Sequence, residues 1–576
     1  MRTKNSLLGG VAVGVMLAVV ATAPVQAKTV KKAEVSETQQ QIDDLRTQLQ
    51  ALKDRLDEQT SINQQAKSQV QAAQADAAAA KAAAAQSEAD LKTAQAQIIQ
   101  TIPAEINTAV AANKPKTDKI YYKGISITMG GFAEAASIYR SHDETADISS
   151  SFSKIPFAND RAGATGETRF TARQSRYSIL AQGDIDKTTS AAFYGEFDFQ
   201  GAAQTANSNQ SDSYNPRIRV LYGQIDWNAT GWHLLGGQNW SLLTLQNNGI
   251  TPRSEVTPPQ IDAQYIPGFA WARQPGFRIV KDFNKEFWFG LSVENPQTTT
   301  SLNGAGAAQT GGVVTGVTDT VNQAPTNGYF AATGAPTNYS LNPVPDIIAK
   351  VAWEKKIGDQ KYHIEAFGID RTFVSRINYS SAAAAALGVS AGNVTGTQSG
   401  GGGGGSISVY DVVPKHLDLQ ASIFAGNGIG RYGSAGLPDV TARPDGALVG
   451  IPETMWLAGG TFHANPALDF YAFTGEEREN SKLYNINATT VVGYGTLPGS
   501  NNAGCNVEGG TCSPLTKSID QYTGGLWWKF YQGSFGRAQW GIQYSYTERK
   551  AFTDATGFSA LAKENMVFTS FRFYPC

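Results

Sequence analysis

Once its first 27 residues are set aside, this chain lacks any long hydrophobic run. No later stretch approaches the roughly 20 apolar residues that a spanning helix needs, which excludes a helical membrane domain. Cysteine is scarce too, with three among 576 residues, and histidine occurs five times. The histidines, His142, His233, His363, His416 and His463, are too scattered for a metal centre or a nucleophilic triad. Glycines 426, 428 and 430 lack both the spacing and the strand-to-helix setting of a phosphate loop. No catalytic residue, metal ligand or cofactor is therefore expected. An excess of either charge is also missing: 47 basic residues face 49 acidic ones. A chain so balanced is not suited to nucleic acid as a partner.

The N-terminus reads as a secretory signal over residues 1–27. Arg2 and Lys4 form its basic start, Leu7 to Val20 its apolar segment, and Val25-Gln26-Ala27 its cleavage site. A retained anchor is the alternative, but the run is short and broken by glycines. Export changes how the cysteines read. Cys505 and Cys512 bracket the segment CNVEGGTC, which suits a loop-closing disulfide in an oxidising compartment. A zinc site would need a histidine or third cysteine nearby. Cys576 is left over at the end.

Residues 28–112 read as a helical coiled-coil segment on the periplasmic side. Val35, Ile42, Leu49 and Leu56 share one heptad position, and Thr38, Leu45, Leu52 and Gln59 the other. An Ala-rich stretch, 66–96, extends the helix with a weak seam. A single solvated helix is the alternative to self-association. Pro103 ends the pattern, and residues 113–120 read as a linker.

From residue 121 to 576 the chain alternates. In 168–200, TRFTARQSRYSILAQGDIDKTTSAAFYGEFDFQ, the residues Phe193, Gly195, Phe197 and Phe199 interleave with Tyr194, Glu196, Asp198 and Gln200. Strict alternation marks a strand with unlike faces. The apolar face needs a partner layer, and no further layer is evident downstream. A closed barrel in lipid resolves this, with apolar residues out and polar residues in. Sixteen such segments run from 123–139 to 564–574, and include 268–280 and 403–413. Their connections alternate between long loops and short turns such as DKTTS, NATG and VPKH, the signature of an outer-membrane barrel. The expected fold is an all-β transmembrane barrel of about sixteen antiparallel strands behind an α-helical coiled coil. Loops 296–345 and 381–405 should be mobile and outward. Loop 241–267, with its apolar anchors and Arg253, should fold back on something.

Arginine carries the functional signal. Arg169, Arg173 and Arg176 lie in one strand, Arg217 and Arg219 in another, Arg253 in the anchored loop, and Arg273 and Arg278 in the next strand. Arg173 and Arg176 are separated by an odd number, so a bulge is needed for both to face the lumen. Arg217 and Arg219 conflict with Tyr222, Gln224 and Asp226 in the same way. The expectation is that Arg173, Arg176, Arg253, Arg273 and Arg278 line one narrow zone of a pore, with Glu196 and Asp198 beside them. The plainer alternative is that the arginines pair with Glu196, Asp198 and Asp226 and brace the wall.

The chain resembles the DcaP-like trimeric outer-membrane porins through Ala172-Arg173-Gln174-Ser175-Arg176, Gly237-Gln238-Asn239-Trp240, Arg273-Gln274-Pro275 and Gly428-Ile429-Gly430-Arg431-Tyr432. The likeness spans nearly the whole mature chain. It implies a homotrimer in outer-membrane lipid, a periplasmic coiled coil, and an inward loop narrowing each pore. It also implies a preference for small anionic solutes such as dicarboxylates. The ending Pro575-Cys576 departs from the terminal aromatic expected. The rival function is a structural anchor whose coiled coil tethers the barrel to the cell wall. A barrel enzyme with a Ser–His pair is a more distant one.

Overall fold

The computed structural model describes residues 34–101, 119–201, 214–299, 317–319, 342–485, 491–512 and 514–575. The signal segment 1–27, Pro103, most of the linker 113–120 and Cys576 lie outside the described residues. The chain divides near Lys114 into two units.

The first unit contains helix α1, Glu34–Thr101, 68 residues long. Its sequence favours helix through alanine and through pairs one turn apart, such as Lys92 with Glu88 at 2.8 Å. Leu45, Leu49, Leu52 and Leu56 are 63–72% exposed on the single chain. The helix is therefore present, while the partner that a coiled coil would supply is not part of one chain.

The second unit is a closed antiparallel barrel of sixteen strands. They are β1 Ile125–Arg140, β2 Glu167–Thr171 with Arg176–Asp184, β3 Thr189–Asp198, β4 Arg217–Trp227, β5 Trp232–Trp240 and β6 Arg273–Phe283. Then come β7 Phe287–Glu294, β8 Asp346–Ile357, β9 Gln360–Tyr379, β10 Gly392–Val413 and β11 Leu417–Asn427. The last five are β12 Pro452–Asn465, β13 Leu468–Glu479, β14 Thr516–Gly533, β15 Gly536–Ala551 and β16 Leu561–Tyr574. Residues Ala133–Arg140 of β1 pair with Met566–Phe573 of β16 and close the barrel. Closure leaves no open edge, which is what a sheet needs in lipid. Strand faces follow the alternation: Phe193, Phe277, Phe289 and Ile423 are exposed outward, while Glu134, Arg219, Glu365 and Gln543 are buried inward.

Two register shifts lie at the arginines. Ala136 pairs with Thr171, but Phe132 pairs with Arg176, so β2 carries one extra residue between them. A second shift sets Glu196 against Val220 but Phe197 against Ile218, at Arg219. Each bulge turns the alternation by one residue, which lets arginines of unlike parity face inward.

Three segments differ from the sequence expectation. β6 begins at Arg273 rather than 268, because residues before it belong to the inward loop. Residues 392–405 are strand rather than outward loop: β10 pairs with β9 from Gly392 to Tyr410. The glycine run allows this, since a Cβ at Gly404 would meet the Ile423 carbonyl at 2.1 Å. Between the two strands a short helix, Ser381–Leu387, is capped by the Ser380 side chain and ends at Gly388 with φ +67°. Most of loop 296–345 lies outside the described residues. Its described ends are tied down, with Thr299 N–H donating to Asp439 at 2.8 Å.

Candidate pore constriction

The segment between β5 and β6, residues 241–272, crosses the lumen. Its apolar residues Leu242, Leu243, Ile250, Ile261, Ile266 and Phe269 are all buried, so the loop carries its own core into the barrel. Carboxylates of the wall hold its first arm by accepting backbone N–H groups. Glu294 takes Leu242 at 2.8 Å, Glu365 takes Gln246 at 3.1 Å, and Glu354 takes Gly249 at 3.0 Å. On its second arm Gln543 takes Ile261 at 2.6 Å and Glu477 takes Gly268 at 2.8 Å. Backbone donors to charged acceptors are among the stronger hydrogen bonds, and here they fix an irregular chain across a cavity. Glu294, Glu354, Glu365 and Glu477 thus each accept from the loop backbone.

The arginines concentrate on the opposite wall. Asp198 accepts from Arg217 at 3.0 and 2.8 Å and from Arg219 at 2.9 Å. Glu196 accepts from Arg219 at 2.6 Å and lies 3.6 Å from Arg176. The bracing network is thus real, though Asp226 is outside it, holding His233 at 2.7 Å instead. A cavity of about 220 Å³ opens over this network, lined by Arg176, Glu196, Arg219, Arg253, Glu255 and Tyr265 among others. A larger one of about 500 Å³ shares Arg176, Glu196 and Tyr265 and continues along β13–β16 and β1.

Arg253 is exposed on the smaller cavity and donates to the Tyr222 hydroxyl at 2.5 Å. It and Tyr265 adopt φ of +67° and +63°, a left-handed conformation that side chains other than glycine seldom take. Burial pushes the Tyr265 phenol up, but Arg219, Arg176 and Arg273 outweigh it and bring the group below its ordinary value. Glu255 shares the cavity; burial raises its carboxyl above the usual range, against the pull of Arg278.

Of the residues expected to meet, Arg176, Arg253 and Glu196 line one cavity, and Asp198 stands behind them. Arg173 turns away, donating to the Phe199 and Gly201 carbonyls at 3.2 and 2.9 Å and lying 3.4 Å from Asp147. Arg273 is stacked between Trp240 and Trp271, 5.0 and 4.5 Å from the ring centroids. Arg278 is buried and donates to the Trp240 carbonyl at 2.6 Å. None of these three is among the described residues lining the two cavities. Sequence reasoning missed Tyr265, Glu255 and the far-wall cations Lys529, Arg537 and Arg572. Those cations alternate with apolar residues in β14–β16, a signal that parity could have supplied.

Cys505 and Cys512 form the expected disulfide, with Cα atoms 4.7 Å apart. Cys505 is fully buried against Ile155 and Phe157, while Asn506, Val507, Glu508 and Gly509 of the ring are exposed. His233 and His463 each bridge carboxylates of both neighbouring strands, Asp226 with Asp282 and Asp418 with Asp469.

A closed sixteen-stranded barrel with a loop folded across its lumen defines the architecture of outer-membrane porins. Among solved structures the chain is similar to the outer membrane channel DcaP of Acinetobacter baumannii, with 15% identity and a TM-score of 0.50 over 79% of this chain and 99% of that one. It also aligns with an anion-selective porin from Comamonas acidovorans (9% identity, TM-score 0.38, 78% of this chain and 99% of that one). OprB of Pseudomonas putida aligns at 10% identity, with a TM-score of 0.40 over 77% of this chain and 94% of that one. No family model matches the chain, and no curated protein does. The likeness to DcaP is one of fold.

Proposed function

We propose that the chain is an outer-membrane porin for passive diffusion of small, preferentially anionic solutes, dicarboxylates among them. It works as a homotrimer in outer-membrane lipid, with α1 in the periplasm. The observation that carries this is Arg253: a loop fixed across the lumen presents a guanidinium, with no ion pair among the described residues, to the cavity wall that already holds Arg176 and Arg219. Among the wall acids, Glu294 and Glu365 accept loop amides, and Glu196 and Asp198 are paired with Arg219.

The reversal potential across a salt gradient tests the reading. One charge acts on an ion about 10 Å away in water with roughly 0.4 kcal/mol, so two or three uncancelled charges give about fivefold preference. Anion preference at about 0.1 M salt should fade at 1 M, where screening acts over roughly 3 Å. Arg253→Glu changes the local charge by two and should move the permeability ratio about fourfold toward cations. A wild-type pore that prefers cations at low salt overturns the proposal. Three equal conductance steps per insertion would be the mark of the trimer.

A further inference from the structure

The larger cavity holds four cations, and they are not equivalent. Lys529 lies 2.6 Å from Asp469, Arg572 lies 2.8 Å from Glu134, and Arg176 lies 3.6 Å from Glu196. Arg537 makes no ion pair and no side-chain hydrogen bond among the described residues, and its Nε is buried without a partner. Its guanidinium rests on the Tyr574 ring, 4.2 Å from the centroid, and that ring packs on Phe132 at 5.2 Å. The stack fixes the plane of the fork, and Arg537 is among the residues lining the cavity. Arg537 pairs in register with Tyr574 of the last strand and directly follows the short turn between β14 and β15.

We infer that Arg537 is the centre of a second oxyanion station, distinct from the constriction, which takes a carboxylate or phosphate group of a solute in the lumen. A planar, pre-oriented guanidinium binds such groups through two parallel N–H···O bonds, which a spherical halide cannot match. The cavity, about 500 Å³, has room for a small solute around that contact. Lys529 and Arg572 each face an acid and Arg176 shares Glu196 with Arg219, so Arg537, with no ion pair among the described residues, adds the attraction particular to this end of the cavity. The station rests on the porin reading only in that solute must reach the lumen.

The test uses the full-length protein in planar bilayers with inorganic phosphate as probe. Wild-type conductance should saturate with phosphate and stay near linear with chloride. Arg537→Gln should raise the phosphate half-saturation about fivefold. Arg253→Gln should change ion preference and leave that half-saturation in place. Where Arg537→Gln fails to insert, Arg537→Lys keeps the charge but loses the fork, and should weaken phosphate about threefold. An unchanged half-saturation in either Arg537 variant overturns the station, as does an equal shift in Arg253→Gln. A wild-type protein that inserts without conducting fails the porin reading instead, and the phosphate titration of a conducting pore tests the station alone.

Discussion

Glu255 shows how a single side chain sets the charge that a solute meets. It faces the same cavity as Arg253, its Oε1 is buried without a partner, and burial raises its carboxyl above the usual range. As pH falls, Glu255 takes up its proton before a surface carboxylate does, and the cavity loses one negative charge. Anion preference should therefore rise on acidification in a step above the ordinary carboxylate range. Glu255→Gln should hold the acid-side value throughout, with reversal potential against pH as the measurement. A wild-type profile parallel to that of Glu255→Gln would show that Glu255 does not act on the permeating ion. The same scale revises which arginines are informative to reverse. Sequence reasoning placed Arg173 and Arg273 in the narrow zone, but Arg173 is engaged by two carbonyls and Asp147, and Arg273 is packed between tryptophans. Reversal there would disturb packing as well as charge, so Arg253 is the cleaner position.

At the scale of elements, the inward loop is held by acids rather than by an apolar core alone. Glu294 accepts from Leu242 N–H and also from Ser292 and Gln274. Glu294→Ala leaves those donors without their acceptor in a buried place, at a cost of about 1–3 kcal/mol per group. The barrel closes its own backbone bonds and should survive. Released at this point, the loop should give larger and noisier single-channel currents; wild-type noise in the variant would refute the clamp. The disulfide is the second case. Its ring is short, and constraining roughly eight residues contributes about 2.5 kcal/mol in the chain-entropy view. Because Cys505 is buried against Ile155 and Phe157, and Asn159 N–H donates to its carbonyl at 3.0 Å, reduction should loosen residues 141–166 as well. Limited proteolysis should then cut both loops while heat-modified gel mobility, the sign of an intact barrel, stays unchanged. Loss of that mobility would mean that the loops hold the barrel.

For the whole molecule, the exposed leucines of α1 set the expectation. An isolated helix with an uncovered Leu45–Leu49–Leu52–Leu56 seam is poorly stabilised in water, and burying the seam against copies of itself relieves this. Deleting residues 35–66 should weaken the oligomer on native gels and leave an open pore in bilayers. A barrel that no longer folds after the deletion would show that the unit division near Lys114 is not a folding boundary.

What the sequence by itself determined was whatever depends on period and parity. Alternation marked about sixteen strands, alternating connection lengths marked a barrel, and apolar anchors marked 241–267 as a loop folded back on something. The odd spacing of Arg173 and Arg176 called for a bulge, and a one-residue register shift does lie between Thr171 and Arg176, although Arg173 turns away from the cavities. These features are local, because a side chain's face follows from its neighbours along one strand. Which cations remain uncancelled was decided only by tertiary structure. Arg219 and Arg537 both face inward on strands, yet one is gripped by Glu196 and Asp198 and the other makes no ion pair among the described residues. The glycine run at 400–405 read as loop for the same reason, since its pairing rests on a close approach to β9 and β11 that one strand does not encode. Pairing across a lumen depends on strand register and on where a loop of thirty-two residues comes to rest. Those are contacts between parts of the chain far apart in sequence, and no period along the chain carries them.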